Sequence, residues 1–487
     1  NKFDHVRKAY LGRVARPNDV DFLTPIAGEY TRKQLCQPFA EQVFAGLPKE
    51  CPLRTFELEA YGKLGSFSIR DENWWREGVD KFRAIHKSTS PKRGFALLKE
   101  KLAGIRVRPL SMPPDPLWTT SSGYPYFQTA SRVESLVRAD MSKILTSKVA
   151  RREMLDWPFT LGWRGQPGKS WATTKSRVVW GEVKSWAAVT SMFTYPVINA
   201  LKGVDEFCQL AGPDPVDDVI FRAFLNKPKG YHFISGDKSA FDASISAAIL
   251  YDAIDVVRSL LDLTSDEEEI FADCFERLVN KSLLTPDGLV ITAHGVPSGH
   301  GATNLIDSII TLGLIYELAD STVWCVAGGD DDVALMPSTI TAKTVADAYE
   351  TFGVQSHAEK QLVSNDVVLF LNRLFGNILD DGQIRRGARS LNRAWNGMIS
   401  SEYKLALNKF DMTLRYWSQI QEVLYHPNRQ LLLDTARRFD KFDLFLSSYS
   451  TRMDVLTQGD LSRVTGTPRD VAFRLSQKPI SSWWLFS

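Results

Sequence analysis

"VWCVAGGDDDVALM", residues Val323 to Met336, sets three aspartates side by side between two apolar runs. The runs are short and rich in residues that suit strands, and the Gly-Asp between them is a hairpin signal. The stretch reads as strand, tight turn, strand, with Asp330, Asp331 and Asp332 gathered at the tip. Like charges this close repel, and an opposing charge is needed to hold them together. A divalent cation meets that need, and an all-oxygen ligand set favours magnesium or manganese over zinc. For the triplet taken alone, a solvated acidic turn is the other reading, because Asp is common in turns. The alternating acids and distal Glu of an EF-hand loop are missing.

Towards the N-terminus, "YHFISGDKSAFDASISAAILYDAIDVVRSLLDL" begins as a short strand, passes a Gly-Asp turn and becomes a long helix. Asp242 or Ser244 is well suited to cap that helix. Asp237 falls where the strand ends. If this strand pairs with the hairpin, Asp237 and Asp330 or Asp331 meet on one edge. Two cations about 3.5–4 Å apart could then be clamped there, the geometry of in-line phosphoryl displacement. A helix cap is the plain alternative for Asp237 and its neighbours. Between the two acidic sites, "GVPSGHGATN" is a glycine-rich loop before a helix. Gly295, Gly299 and Gly301 permit backbone conformations closed to other residues, and Ser298 and Thr303 add hydroxyls. The loop suits close approach to a sugar or phosphate, or is a plain turn; it is not a P-loop, because no GKS or GKT follows.

The three pieces occur in one order and spacing, and together they resemble the motifs of viral RNA-dependent RNA polymerases. "DKSAFD" is similar to motif A, "GVPSGHGATNLIDSI" to motif B and "GGDDDV" to motif C. The motif B wording looks most like the double-stranded RNA viruses of the partitivirus and picobirnavirus groups. "WTTSSGYPYF" resembles motif G, "TTKSRVVWG" motif F, "HAEKQLVS" the end of motif D and "LFLNRLFGN" motif E. The resemblance runs from about Trp118 to Asn377.

It implies Asp237, Asp330 and Asp331 as the catalytic acids and ligands of two Mg2+ or Mn2+ ions, with the Lys238 carbonyl helping to hold one of them. Lys360 would be the general acid that protonates pyrophosphate. Lys175 and Arg177 would face the triphosphate; they alternate, so on a strand they share a face. Asp242 would sense the ribose, with Ser298, Gly299 and Thr303 lining the same pocket. Two positions depart from the family. Asp307 stands where many members carry Asn, so Asn304 or a protonated carboxyl would take that amide's part. Asp332 replaces the usual Ser or Asn, and either tunes the metal or points to solvent.

The implied fold is α+β: a right-hand polymerase with a mixed, antiparallel-sheet palm and largely helical fingers and thumb. Residues 1–225 would form fingers, with the N-terminal segment bridging to the thumb. Residues 226–380 would form the palm, with a helical insertion from the fingers between motifs A and B. Residues 381–487 would form the thumb and tail. The chain's 487 residues suit about three lobes. "SRVESLVRADMSKILTSKVARREML" reads as one amphipathic helix, with Leu136, Val137, Met141, Ile144, Leu145 and Val149 on its apolar face. Arg385, Arg386, Arg389 and Arg393 either contact product-strand phosphates or form a solvated helix face. The terminal Trp483, Trp484, Leu485 and Phe486 read as docking onto the body, or else as a capsid contact or an insertion towards the active site.

Five scattered cysteines without a CxxC pair suggest neither a zinc site nor a disulfide framework, and point to a reducing compartment. A net charge of +2 argues against a polycationic coat, though not against a basic channel. No apolar run is long enough to span a membrane, and the opening "NKFDHVRKAY" lacks a secretory signal pattern. The expected activity is template-directed nucleotidyl transfer for viral genome replication and transcription, with RNA template and product, nucleoside triphosphates and capsid protein as partners. The expected place is the host cytoplasm, inside the viral particle. A reverse transcriptase, or a non-catalytic polymerase-like protein that binds RNA or assembles particles, are the alternatives; Gly328 and Gly329 before the paired acids, where reverse transcriptases usually carry an aromatic, weigh against the first.

Overall fold

The apolar runs Trp324–Gly328 and Asp331–Pro337 pair as an antiparallel hairpin, closed by Gly329 and Asp330. Gly329 has φ +69°, as the first central residue of a type II′ turn requires. The strand Tyr231–Gly236 adds antiparallel to the second hairpin strand, and Leu362–Ser364 adds beyond it. In this computed structural model, the described residues are 22–65, 73–83, 89–167, 174–318, 323–401 and 408–440. The C-terminal aromatic residues 483–486 lie outside them.

One face of this sheet rests on the helix Thr303–Leu318, whose residues from Leu305 through Tyr316 are all buried. A helix apolar all round must be enclosed, and here Lys92–Lys101 and Ala247–Ser259 enclose it. Gly94 and Gly313 let two helices touch backbone to backbone: a Cβ on Gly94 would collide with the Gly313 carbonyl. A second sheet joins Thr174–Gly181, Phe159–Pro167, Lys281–Thr285 and Gly288–Thr292. A separate core packs residues from Ile26 to Leu64 against Leu391–Ile399, Lys409–Glu422 and Arg429–Arg438. The ends of the described chain therefore meet, and Phe22 and Leu23 pair with Ser401 and Ser400.

Three sequence expectations need correction. The helix after motif A is broken: Phe241–Ser244 is a single turn, and Ala247–Ser259 starts anew with Ser246 as its cap. Ile245 is extended between them, so neither Asp242 nor Ser244 caps the long helix. The amphipathic stretch is likewise two helices, Glu134–Thr146 and Lys148–Leu155, because Ser147 turns its hydroxyl to the Ala150 amide. Leu136 and Val149 lie exposed instead of on the apolar face. Finally, Arg385–Arg389 is a strand, not a helix. Its arginines are engaged: Arg385 with Asp381, Arg386 with Asp218, Arg389 with Glu422, while Arg393 donates to Asn372.

Candidate active site

Register fixes where the acids lie. Gly236 faces Asp332, and Gly328 faces Asp331. Asp237, one residue further along its strand, therefore arrives beside Asp331 at the sheet edge. Asp237 and Asp330 are exposed and Asp331 is half-buried. Burial pushes the Asp331 carboxyl up to about 6, and the charges of Asp330, Asp332 and Asp237 add to the rise while Lys238 opposes it. Asp242, freed from capping, is pushed up to about 6 by burial and by Asp330, against the pull of Arg177. Asp307 is buried one helical turn beyond Thr303; burial, Asp242 and Asp330 hold its proton on well above the usual carboxylate range. Its Oδ1 has no hydrogen-bond partner among the described residues.

The turn that carries Asp330 is held by two hydroxyls to which the sequence reading gave no role. Ser308 Oγ accepts from the Gly329 amide at 2.9 Å, and Thr311 Oγ1 donates to the Gly329 carbonyl at 2.9 Å. Two hydroxyls one turn apart in the buried middle of a largely apolar helix were the available sequence signal. Asn304 stands exposed near the same turn, where a Cβ on Gly329 would lie 3.5 Å from its Oδ1.

The glycine-rich loop is built by close approach. Gly295 has φ +76°, whereas Gly299 is needed because any Cβ there would collide with the Trp180 carbonyl. Ser298 Oγ accepts from the Trp180 amide at 3.0 Å, so the loop is tied to the strand that carries Arg177. Thr303 donates to the Pro297 carbonyl at 2.7 Å. Buried His300 accepts from the Ala302 amide and so presents its other ring nitrogen to the Cys274 carbonyl, a structural post. Arg177 is exposed; Lys175 lies on the same strand, with its side chain outside the described residues. Lys360 is exposed at the end of the turn Ala358–Lys360. That turn is tethered to the acids: Gln361 donates to Ser356 Oγ, and Ser356 donates to the Asp237 carbonyl at 3.1 Å.

Among the described residues, no three His, Cys, Asp or Glu side chains close on one point as a ready-made metal cage. Magnesium does not need one, since it keeps several waters and takes one or two carboxylates plus substrate phosphates. The burial and neighbouring acids that lift Asp331, and the oxygen-only donor set at the exposed edge, both fit such a cation.

The crowding has a measurable consequence. Folding raises the Asp331 and Asp242 carboxyls from 3.8 to about 6. Between those values the folded state binds more protons than the unfolded one. These groups therefore lose the cation-free protein stability as pH rises through about 6. In chelator, Asp331→Asn is expected to melt increasingly above the unaltered protein as pH rises from about 4 to about 6, and by a constant margin beyond that. Parallel melting curves for the two proteins would remove Asp331 from the crowded cluster.

A four-stranded sheet edge with acids at a hairpin tip and at the neighbouring strand end, backed by a buried helix, defines a right-hand polymerase. A family model described as viral RNA-dependent RNA polymerase matches residues 94–396. The chain belongs to the viral RNA-dependent RNA polymerases and is an RNA-directed RNA polymerase. Members of this family generally depend on divalent metal. A potential RNA-dependent RNA polymerase of human picobirnavirus is 24% identical over 493 residues, covering 94% of this chain and 88% of the relative. The crystal structure of a human picobirnavirus RNA-dependent RNA polymerase superposes with a TM-score of 0.80 at 20% identity, covering 99% of this chain and 96% of the other. Its insertion-loop deletion mutant gives 0.79 at 23% identity, with coverage of 99% and 95%. No helix of the described residues is long and apolar enough to cross a membrane.

Proposed function

We propose that this polymerase replicates and transcribes a viral RNA genome, with Asp237, Asp330 and Asp331 holding two divalent cations and the Lys238 carbonyl assisting. The register that sets Asp237 beside Asp331 carries this reading. Residues 226–380 act as palm, 1–225 as fingers and 381–487 as thumb. The shared core of residues 26–64 and 391–436 supports a bridge from the N-terminal segment to the thumb. The natural setting is the viral particle in host cytoplasm, against capsid protein.

When bound, the paired ions acidify the RNA 3′-hydroxyl and offset charge on the departing pyrophosphate. The chain's own part is positioning. Arg177, with Lys175, receives the triphosphate; a guanidinium offers it a two-pronged contact. Asp242 accepts from a ribose hydroxyl. Asp307, proton retained, presents one donor and one acceptor, as an amide does, and so takes the part of the family's Asn. Ser298, Gly299, Thr303 and Asn304 shape the same pocket. Lys360 gives a proton to pyrophosphate as it leaves.

The deciding experiment is primer-free extension on a defined RNA, comparing ribo- with deoxyribonucleotides, with and without magnesium. Ribonucleotide product that needs magnesium supports the reading; preference for deoxyribonucleotides would make the chain a reverse transcriptase. Lys360→Ala is expected to slow elongation by about 10²-fold, the lower scale of general acid catalysis, with nucleotide affinity unchanged. A loss confined to affinity in pre-steady-state titration would end the proton-donor role.

A further inference from the structure

Asp332 completes the acidic triplet, yet it faces inward. It is buried opposite Gly236 and Ala327 in the sheet. A Cβ on Gly236 would collide with its Oδ1, so the glycine before Asp237 leaves room for this carboxylate. The carboxylate accepts from the ammonium of Lys238, whose side chain is 0% exposed. The same ammonium donates to the Asp330 carbonyl oxygen at 2.7 Å. The rings of Phe241 and Tyr349 lie 5.6 and 5.8 Å from it. A lysine buried this deeply needs a paired charge, and Asp332 supplies it.

What sets this pair apart from an ordinary core ion pair is the third group. Lys238 follows Asp237 directly, and the carbonyl it grips belongs to Asp330. One side chain thus spans from the end of the motif A strand to the tip of the motif C hairpin. Ser308 and Thr311, on the buried helix, hold the adjoining Gly329 peptide. Both peptide groups of the hairpin tip are thus bonded to side chains from other elements, Gly329 to the helix and Asp330 to Lys238.

From these contacts we infer that Lys238 is a positioning residue, with Asp332 as its counterion, which sets the spacing of Asp237 and Asp330 for cation binding. This rests on the proposed cation-ligand role of those two acids. Sequence reasoning assigned Lys238 only a backbone carbonyl and left Asp332 between metal tuning and solvent; the side chains have a different task. The ammonium also places positive charge under the acids, which lowers the cost of gathering them.

The test uses the full chain. Lys238→Met with Asp332→Asn removes both charges, keeps the net charge of the site and nearly keeps the packed volume. Mn2+ affinity is read by electron paramagnetic resonance with RNA bound and no nucleotide present. Loss of a group that orients metal ligands typically costs about 10- to 100-fold in metal affinity or activity, and that is the fall expected in Mn2+ affinity and in kcat. The KM for nucleotide and the RNA Kd should stay within about threefold, a split that general loosening of the fold would not produce. Wild-type Mn2+ affinity in a folded double variant overturns the inference. Should that variant not fold, Lys238→Gln carries the test: its amide is neutral and one bond shorter, which withdraws the donor from the Asp330 carbonyl. The same fall is expected, and wild-type affinity again overturns. Asp330→Asn checks the underlying reading separately. If it keeps Mn2+ binding, the ligand role fails; if it loses binding while the Lys238 variants keep it, only the positioning role fails.

Discussion

Asp330→Asn is expected to cut nucleotide incorporation by at least about 10²–10³-fold, the scale seen when one preorganised electrostatic group is removed from a site. Asn keeps the shape and removes the charge. RNA affinity should be unchanged, because it comes mainly from basic groups on phosphates. Stability should move the other way. Asp330 is one of the charges that lift Asp331, Asp242 and Asp307. Its removal relieves that repulsion, so the cation-free variant should melt no lower than the unaltered protein. Loss of activity with no loss of stability is what an acid gathered for function, against its own electrostatics, must give. Incorporation within tenfold of the unaltered rate, measured on a primed RNA at saturating magnesium, would remove Asp330 from the site.

Much of this site was legible because it is local. The hairpin needs only two short apolar strands and a Gly-Asp turn, and Asp237 needs only a strand end before it. Pairing those two pieces was the one long-range step, and the shared motif order made it readable. The features that escaped depend on register or on a distant partner. Whether Asp332 faces in or out is decided by its pairing with Gly236, and a shift of one residue would reverse it. The breaks at Ile245 and Ser147 hide inside good helical periodicity, because one extended residue and one serine hydroxyl suffice to end a helix. The basic run at Arg385–Arg389 resembled a phosphate surface until its carboxylate partners, as distant as Asp218 and Glu422, came into contact. Ser308 and Thr311 drew no reading from the sequence; their value lies in the Gly329 peptide they hold.

The second large effect lies far from the acids, at Glu57. This carboxylate is wholly buried, in Pro52–Gly62, where the N-terminal segment meets the C-terminal helices. It accepts from the Leu391 amide at 2.6 Å, from Ser390 Oγ at 2.7 Å and from Asn392 Nδ2 at 2.8 Å, and His426 Nε2 lies 3.2 Å away. It thus stands at the N-terminus of Leu391–Ile399, where backbone amides lack partners and the helix dipole favours an anion. Burial alone would raise its carboxyl, but His426, Ser390 and the Leu391 amide together bring it below the usual value. Its contribution is therefore present above about pH 4.5 and lost as pH falls through the lower folded value. Removing one partner of a buried charged network costs about 3–5 kcal/mol, a large share of the roughly 5–15 kcal/mol that holds a domain folded. Glu57→Ala should therefore loosen the joint between the two chain ends before it disturbs the palm. Hydrogen exchange at residues 391–399 and proteolytic cleavage within residues 32–62 should both accelerate, while Glu57→Gln, which keeps an acceptor, should lose much less. A palm that exchanges as fast as the joint would mean that the two cores unfold as one, and that the bridge is no separate unit of stability.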